Sequence, residues 1–190
     1  MYRYLIFLIP LLLVGCASEP KPETAGVAAS SPDSIKWQWQ PKAIKMSVAA
    51  TDKLNWYDGQ AHSLMLCVYQ LSDKAKFVEY ASTANGINIM LGCNRFDNSV
   101  TQSERIFLQP GSKWIGSFDR FDKTKFLGVV AGYVDRGGDV TAVYDIPVLK
   151  SETGMWWWSK DWYTPEVLSV SMSFNEDTLR QNDEVKKNSK

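Results

Sequence analysis

From residue 166 to residue 174 the chain alternates without a break. Leu168, Val170, Met172 and Phe174 fall on one side, against Val167, Ser169, Ser171 and Ser173 on the other. A period of two cannot cover one face of a helix; it sends one row into a core and the other towards water, as in a half-buried strand. The same grammar recurs upstream. Residues 44–50 alternate apolar with small or polar side chains, residues 100–108 do so weakly, and residues 113–121 return as a strand carrying Trp114, Ile115 and Phe118. Residues 63–71 and 126–134 are continuous apolar runs, the composition of central strands, and residues 140–148 form another strand. Between them stand turns with a mechanism. Pro110 presets φ and Gly111 supplies a positive φ, while residues 122–125 and Asp135-Arg136-Gly137-Gly138-Asp139 make polar connections. Seven or so strands at this spacing predict an all-β antiparallel sandwich. One interruption is helical: after Ser72-Asp73, residues Ala75, Phe77, Val78 and Ala81 share a face, and a second short element lies near residues 87–91. A small helical insert at about residues 73–92 is expected.

The N-terminus sets the compartment. Arg3 precedes an uncharged apolar run ending Leu11-Leu12-Leu13-Val14-Gly15-Cys16, the layout of a secretory signal peptide and too short for a spanning helix. The cysteine after Leu-Val-Gly resembles the bacterial lipobox, which implies cleavage after residue 15 and acylation of Cys16. Two or more acyl chains hold a protein stably on a bilayer. Residue 17 is Ala and residue 18 is Ser; without the Asp that resembles an inner-membrane retention signal, the outer membrane is implied, with the protein facing the periplasm. Residues 16–34 are small, polar and proline-containing and read as the acylated cysteine with a flexible tether. The domain then spans residues 35–174, and residues 175–190 are a polar C-terminal tail, either frayed or a surface helix.

Removing the first fifteen residues leaves 175 of 190, enough for one domain with a real core. Arg3 leaves with them, so 20 basic side chains face 21 acidic ones, and nothing attracts nucleic acid. With Cys16 acylated, Cys67 and Cys93 remain as an even pair in an oxidising compartment; a disulfide and two buried thiols are both compatible with the sequence. Catalytic chemistry has no recognisable set. His62 is the only histidine, near Ser63, Asp58 and Asp52, but no Gly-x-Ser-x-Gly elbow occurs. One histidine with two distant cysteines is a poor zinc set, and Gly137-Gly138 lacks the Lys-Ser/Thr of a phosphate loop. No enzyme, metal or cofactor signature is present.

In order along the chain come the lipobox, a polar tether, a strand, and Leu54-Asn55 with Gly59. Leu66-Cys67-Val68-Tyr69-Gln70-Leu71, a helix with Phe77, and Leu108-Gln109-Pro110-Gly111 follow. Last comes Phe126-Leu127-Gly128-Val129-Val130-Ala131-Gly132-Tyr133. This order resembles the TssJ family of type VI secretion outer-membrane lipoproteins over about residues 40–148. The resemblance implies a transthyretin-like sandwich with an added helical piece and no catalysis. It also implies binding to the periplasmic domain of the inner-membrane subunit TssM, and through it an indirect link to TssL, in several copies of a ring-like complex. The family's partner-binding loop maps onto residues 51–62, which puts Leu54, Asn55, Trp56, Tyr57, Asp58 and Gly59 at the contact. If strands alternate up and down, this loop shares one end of the sandwich with residues 109–113 and 135–139. Leu54, Trp56 and Tyr57 look exposed there, and aromatic side chains are the type that become interface hot spots.

Three features lie outside the family's pattern: the cysteine pair, the polar tail, and the run Trp156-Trp157-Trp158 with Trp162-Tyr163. Such aromatic rows pack into a core, anchor a partner, or meet glycan or lipid. They support an alternative function, a periplasmic glycan- or cell-wall-binding lipoprotein that uses the tryptophans.

Overall fold

The computed structural model describes residues 27–182, except for the side chains of Trp156 and Asn182. The lipobox with Cys16, the first part of the tether and residues 183–190 of the tail lie outside the described residues.

Among the described residues ten strands form two four-stranded sheets and a separate hairpin. Strands β1 (Gln40–Ala50), β4 (Lys113–Arg120), β9 (Leu168–Phe174) and β10 (Leu179–Asn182) build the first sheet in the order β10-β9-β1-β4. Strands β2 (Leu64–Leu71), β3 (Val100–Leu108), β5 (Phe126–Ala131) and β6 (Thr141–Asp145) build the second in the order β3-β2-β5-β6. Strands β7 (Val148–Thr153) and β8 (Lys160–Pro165) form a two-stranded sheet of their own. Every pairing is antiparallel but one: β1 and β9 run parallel, with Ile44 opposite Leu168 and Ala50 opposite Phe174. The fold is the expected all-β sandwich.

The alternation read from the sequence fixes the first sheet's inner face. Ile44, Met46 and Val48 of β1 stand beside Leu168, Val170, Met172 and Phe174 of β9, all buried, while Ser169 is exposed. Strand β2 is apolar at nearly every position because both of its faces are covered. Its Gln70 reaches across the sandwich, donating to the Asp119 carbonyl (2.8 Å) and accepting from the Phe121 amide (2.9 Å), so Leu66 and Val68 face the same interior. Cys67, Tyr69 and Leu71 point the other way, where the helical insert lies. The insert comprises α1 (Ala75–Ala81) and α2 (Ala84–Met90). Asp73 starts α1 by accepting from the Ala75 amide (2.7 Å), and the Thr83 hydroxyl caps α2 by accepting from Gly86 (3.0 Å). Phe77 packs edge-on to Tyr69 at 6.3 Å, and Phe96 meets Tyr69 at 5.1 Å. Gly128, opposite Tyr69 on β5, makes room: a Cβ there would come within 2.5 Å of the Phe77 ring. Cys67 and Cys93 are joined by a disulfide, Cα atoms 5.1 Å apart, which closes the insert onto β2.

Three expectations need correction. The strand foreseen over residues 140–148 ends at Asp145 and a new one begins at Val148. Pro147 has no N–H to continue a ladder, and the Ile146 amide turns to the Lys125 carbonyl (2.9 Å). The tail does not begin at residue 175: Leu179–Asn182 add a strand to β9, with Leu179 buried. The tether expected to run through residue 34 is bound to the domain before that. Ala29 exchanges two backbone hydrogen bonds with Tyr163 (2.9 and 2.8 Å), and Ile35 is buried.

Candidate functional site at the loop end of the sandwich

Strand register decides which connections share an end. Ala50 lies opposite Phe174, Ala49 opposite Lys113, Leu64 opposite Leu108, and Leu66 opposite Ala131. Residues 51–63, 109–112, 132–140 and 175–178 therefore gather at one end. The incoming chain meets the other end, where the Trp37 carbonyl accepts from the Lys123 amide (2.6 Å) and Gln40 pairs with Arg120. An eleven-residue strand such as β1 separates the two ends by roughly 33 Å.

The 51–63 loop divides into a buried root and an exposed tip. Leu54, which looks exposed from the sequence, and Asn55, placed at the contact by the family resemblance, are both buried. Leu54 closes the open end of the core because the loop folds back across it: the Leu54 carbonyl accepts from the His62 amide (3.0 Å). Asn55 has a positive φ of 46°, which asparagine tolerates better than most residues. Its amide nitrogen donates to the Ser63 carbonyl (3.1 Å), its Oδ1 accepts from the Val134 amide (3.0 Å), and its backbone N–H reaches the Asn175 carbonyl (3.1 Å). One residue, through its side chain and its backbone N–H, thus ties three connections together.

Beyond this root the tip is a small hairpin. Tyr57 and Gln60 exchange backbone hydrogen bonds (3.0 and 3.2 Å) around Asp58-Gly59, whose φ values of 49° and 77° are those a type I′ turn requires. Trp56 and Tyr57 are 39% and 48% exposed. The Trp56 amide donates to the Glu176 carbonyl (3.0 Å), and Lys53 Nζ sits 5.6 Å from its ring centre. His62 donates from Nε2 to the Tyr57 carbonyl (3.1 Å) and so braces the tip. Beside the tip lies an open groove lined by residues that include Asp52, Lys53, Glu176, Asp177 and Arg180. Among the described residues no three His, Cys, Asp or Glu side chains are arranged to hold a metal ion.

Tyr133, next to this network, donates its hydroxyl to the Thr178 carbonyl (2.7 Å). Burial raises its pKa well above the ordinary value of 10.0, and the hydrogen bond it makes is lost on ionisation. The folded state therefore favours the neutral phenol. The stability this represents is complete below pH 10 and is lost as pH rises above it. Thermal melts of the wild type are expected to fall more steeply above pH 10 than those of Tyr133→Phe.

Of the three placements open to the tryptophan run, packing into the core does not hold for Trp157 and Trp158. Trp157 and Trp158 are exposed on the turn of the β7–β8 hairpin, and the half-buried Trp162 donates its indole N–H to Thr153 Oγ1 (2.8 Å) across the strands. The signal missed in the sequence was Pro147 as a strand break, with Gly154 at φ 120° as the hairpin's turn.

Comparison with known proteins fits this geometry. Residues 42–155 match the family described as T6SS-SciN: type VI secretion lipoprotein, VasD, EvfM, TssJ. No curated protein matches the chain by sequence. Among solved structures, the type VI lipoprotein TssJ1 from Pseudomonas aeruginosa is 18% identical. It superposes with a TM-score of 0.52 over 76% of this chain and 95% of that one. Serratia marcescens Lip, described as a membrane-bound component of the type VI secretion system, is 19% identical, with a TM-score of 0.52 over 75% and 98%. A chain in the structure titled for the TssM C-terminal domain (869-1107) from EAEC is 18% identical, with a TM-score of 0.51 over 73% and 96%. These structures share the fold, and the sequence match carries the kinship. With well over half its length matched, the chain belongs to the TssJ family of type VI secretion lipoproteins.

Proposed function

We propose that this protein fastens the periplasmic domain of TssM to the outer membrane, with acylated Cys16 as the anchor and the tip Trp56-Tyr57-Asp58-Gly59 as the contact. The observation that carries this reading is the build of the tip. Two large aromatic side chains stand exposed on a short hairpin held from beneath by Leu54 and Asn55. Such preorganisation lowers the entropy lost on binding. The tip also lies at the end of the sandwich away from the incoming chain, so a pull on TssM passes through the sheets to the anchor. Family membership and likeness to chains in structures of the TssM C-terminal domain and of a type VI membrane complex support TssM as the partner. The molecule's role is mechanical and involves no catalysis. The family match gives no support to the glycan-binding alternative.

In this reading Leu54 and Asn55 position the tip, and Trp56 and Tyr57 make the contact. Trp56→Ala with Tyr57→Ala is expected to weaken binding to the TssM periplasmic domain about 30-fold, the effect of losing about 2 kcal/mol at a hot spot. Titration calorimetry measures this, and an unchanged melting temperature confirms that the fold is intact. Affinity within threefold of the wild type would remove the tip from the interface.

A further inference from the structure

The hairpin at the other end carries an apolar cluster that the TssM contact does not use. Met155, Trp157 and Trp158 are 85%, 78% and 73% exposed, on the turn of a two-stranded sheet that adds nothing to the sandwich core. We propose that this turn is a second membrane contact, seated among the lipid headgroups of the same bilayer that holds the acyl chains; the proposal rests on Cys16 being acylated.

Chain connectivity carries the argument. Ala29 is hydrogen-bonded in both directions to Tyr163 of β8, the strand that leaves the tryptophan turn. Thirteen Cα-to-Cα steps lead from Cys16 to Ala29, so the hairpin cannot lie more than ~45 Å of extended chain from the acylated residue. Tyr163 is five residues from Trp158, about 17 Å along a strand. The exposed turn is therefore leashed to the bilayer by the chain paired against its own strand. Its chemistry suits that surface: tryptophan, with an apolar ring and one N–H, concentrates at the membrane–water boundary. Lys150 and Asp161 (3.1 Å apart) and the Trp162–Thr153 hydrogen bond hold the hairpin's strands together behind it. A tether alone lets the domain tumble. A second contact beside it fixes the sandwich with its loop end directed away from the membrane, where TssM approaches.

The acylated full-length mature protein, reconstituted in phosphatidylethanolamine–phosphatidylglycerol vesicles whose acyl chains are brominated close to the headgroup, tests this. Bromine quenches indole at contact. The wild type is expected to lose about a quarter of its tryptophan emission, two of eight side chains, relative to unbrominated vesicles. Trp157→Phe with Trp158→Phe is expected to abolish that loss while leaving TssM binding unchanged, which also shows that the variant folds. Undiminished wild-type emission, in protein whose mass shows an acylated Cys16, overturns the contact and leaves the anchor standing. If the mass shows Cys16 bare, the anchor reading fails instead. The contact is then read on the mature chain held to nickel-chelating lipid by an N-terminal histidine tag, where quenching supports it and its absence overturns it.

Discussion

Replacing Asn55 with alanine is expected to destabilise the domain by about 2–4 kcal/mol, because it removes two side-chain hydrogen bonds and leaves alanine in a left-handed backbone position. Two contributions add. The Ser63 carbonyl and the Val134 amide each lose their partner at a part-buried site, and each lost hydrogen bond costs about 0.5–1.5 kcal/mol. Alanine must also hold a φ of 46°, which costs roughly 1 kcal/mol more. For a domain of this size the melting temperature should fall by roughly 4–16 °C. Asn55→Gly separates the two contributions, since it relieves the backbone but still lacks the amide, and should recover about 1 kcal/mol. Because the same side chain holds the tip in place, both variants should also bind TssM more weakly. A drop below about 2 °C for Asn55→Ala would contradict the bridging role.

The second large effect concerns the opposite face of β2. The Cys67–Cys93 bridge spans 26 positions of sequence and encloses both helices of the insert. Closing a loop of that length removes enough unfolded-state entropy to stabilise the protein by about 3 kcal/mol. Cys67→Ser with Cys93→Ser should lower the melting temperature by roughly 6–12 °C. Reduction of the wild type should produce a drop of the same size, because the insert keeps its packing on Tyr69, Phe77 and Phe96. A variant that melts within 2 °C of the wild type would show that the bridge carries no weight.

The sequence made the sandwich readable wherever one face of a strand is wet. Strand β9 alternates because Ser169 meets water while Val170 meets the core. Strand β2 reads as a central strand for a related reason, since the helical insert covers the face that would otherwise be polar. What escaped notice lacks periodicity. In β10 Leu179 is buried while Arg180 and Gln181 are exposed; the segment becomes a strand because β9 offers an unpaired edge. Strand β7 is exposed at every position, so no burial pattern marks it.

At the site, the loop's location and its aromatic content were legible, and the division of labour within it was not. Leu54 and Asn55 stand beside Trp56 and Tyr57 in sequence yet on opposite sides of the loop's surface. Which of the four turns inward depends on how the loop closes over the sandwich end, and residues 132–136 and 175–178 decide that from far along the chain. Connections distant in sequence leave no local signal.

The central claim is that the exposed loop tip, and not the tryptophan hairpin, meets the inner-membrane partner. Photo-crosslinking in living cells addresses it most directly, with p-benzoylphenylalanine placed at Tyr57 in one strain and at Trp158 in another. The account predicts a covalent adduct with TssM from position 57 and none from position 158. An adduct from position 158 alone would contradict it.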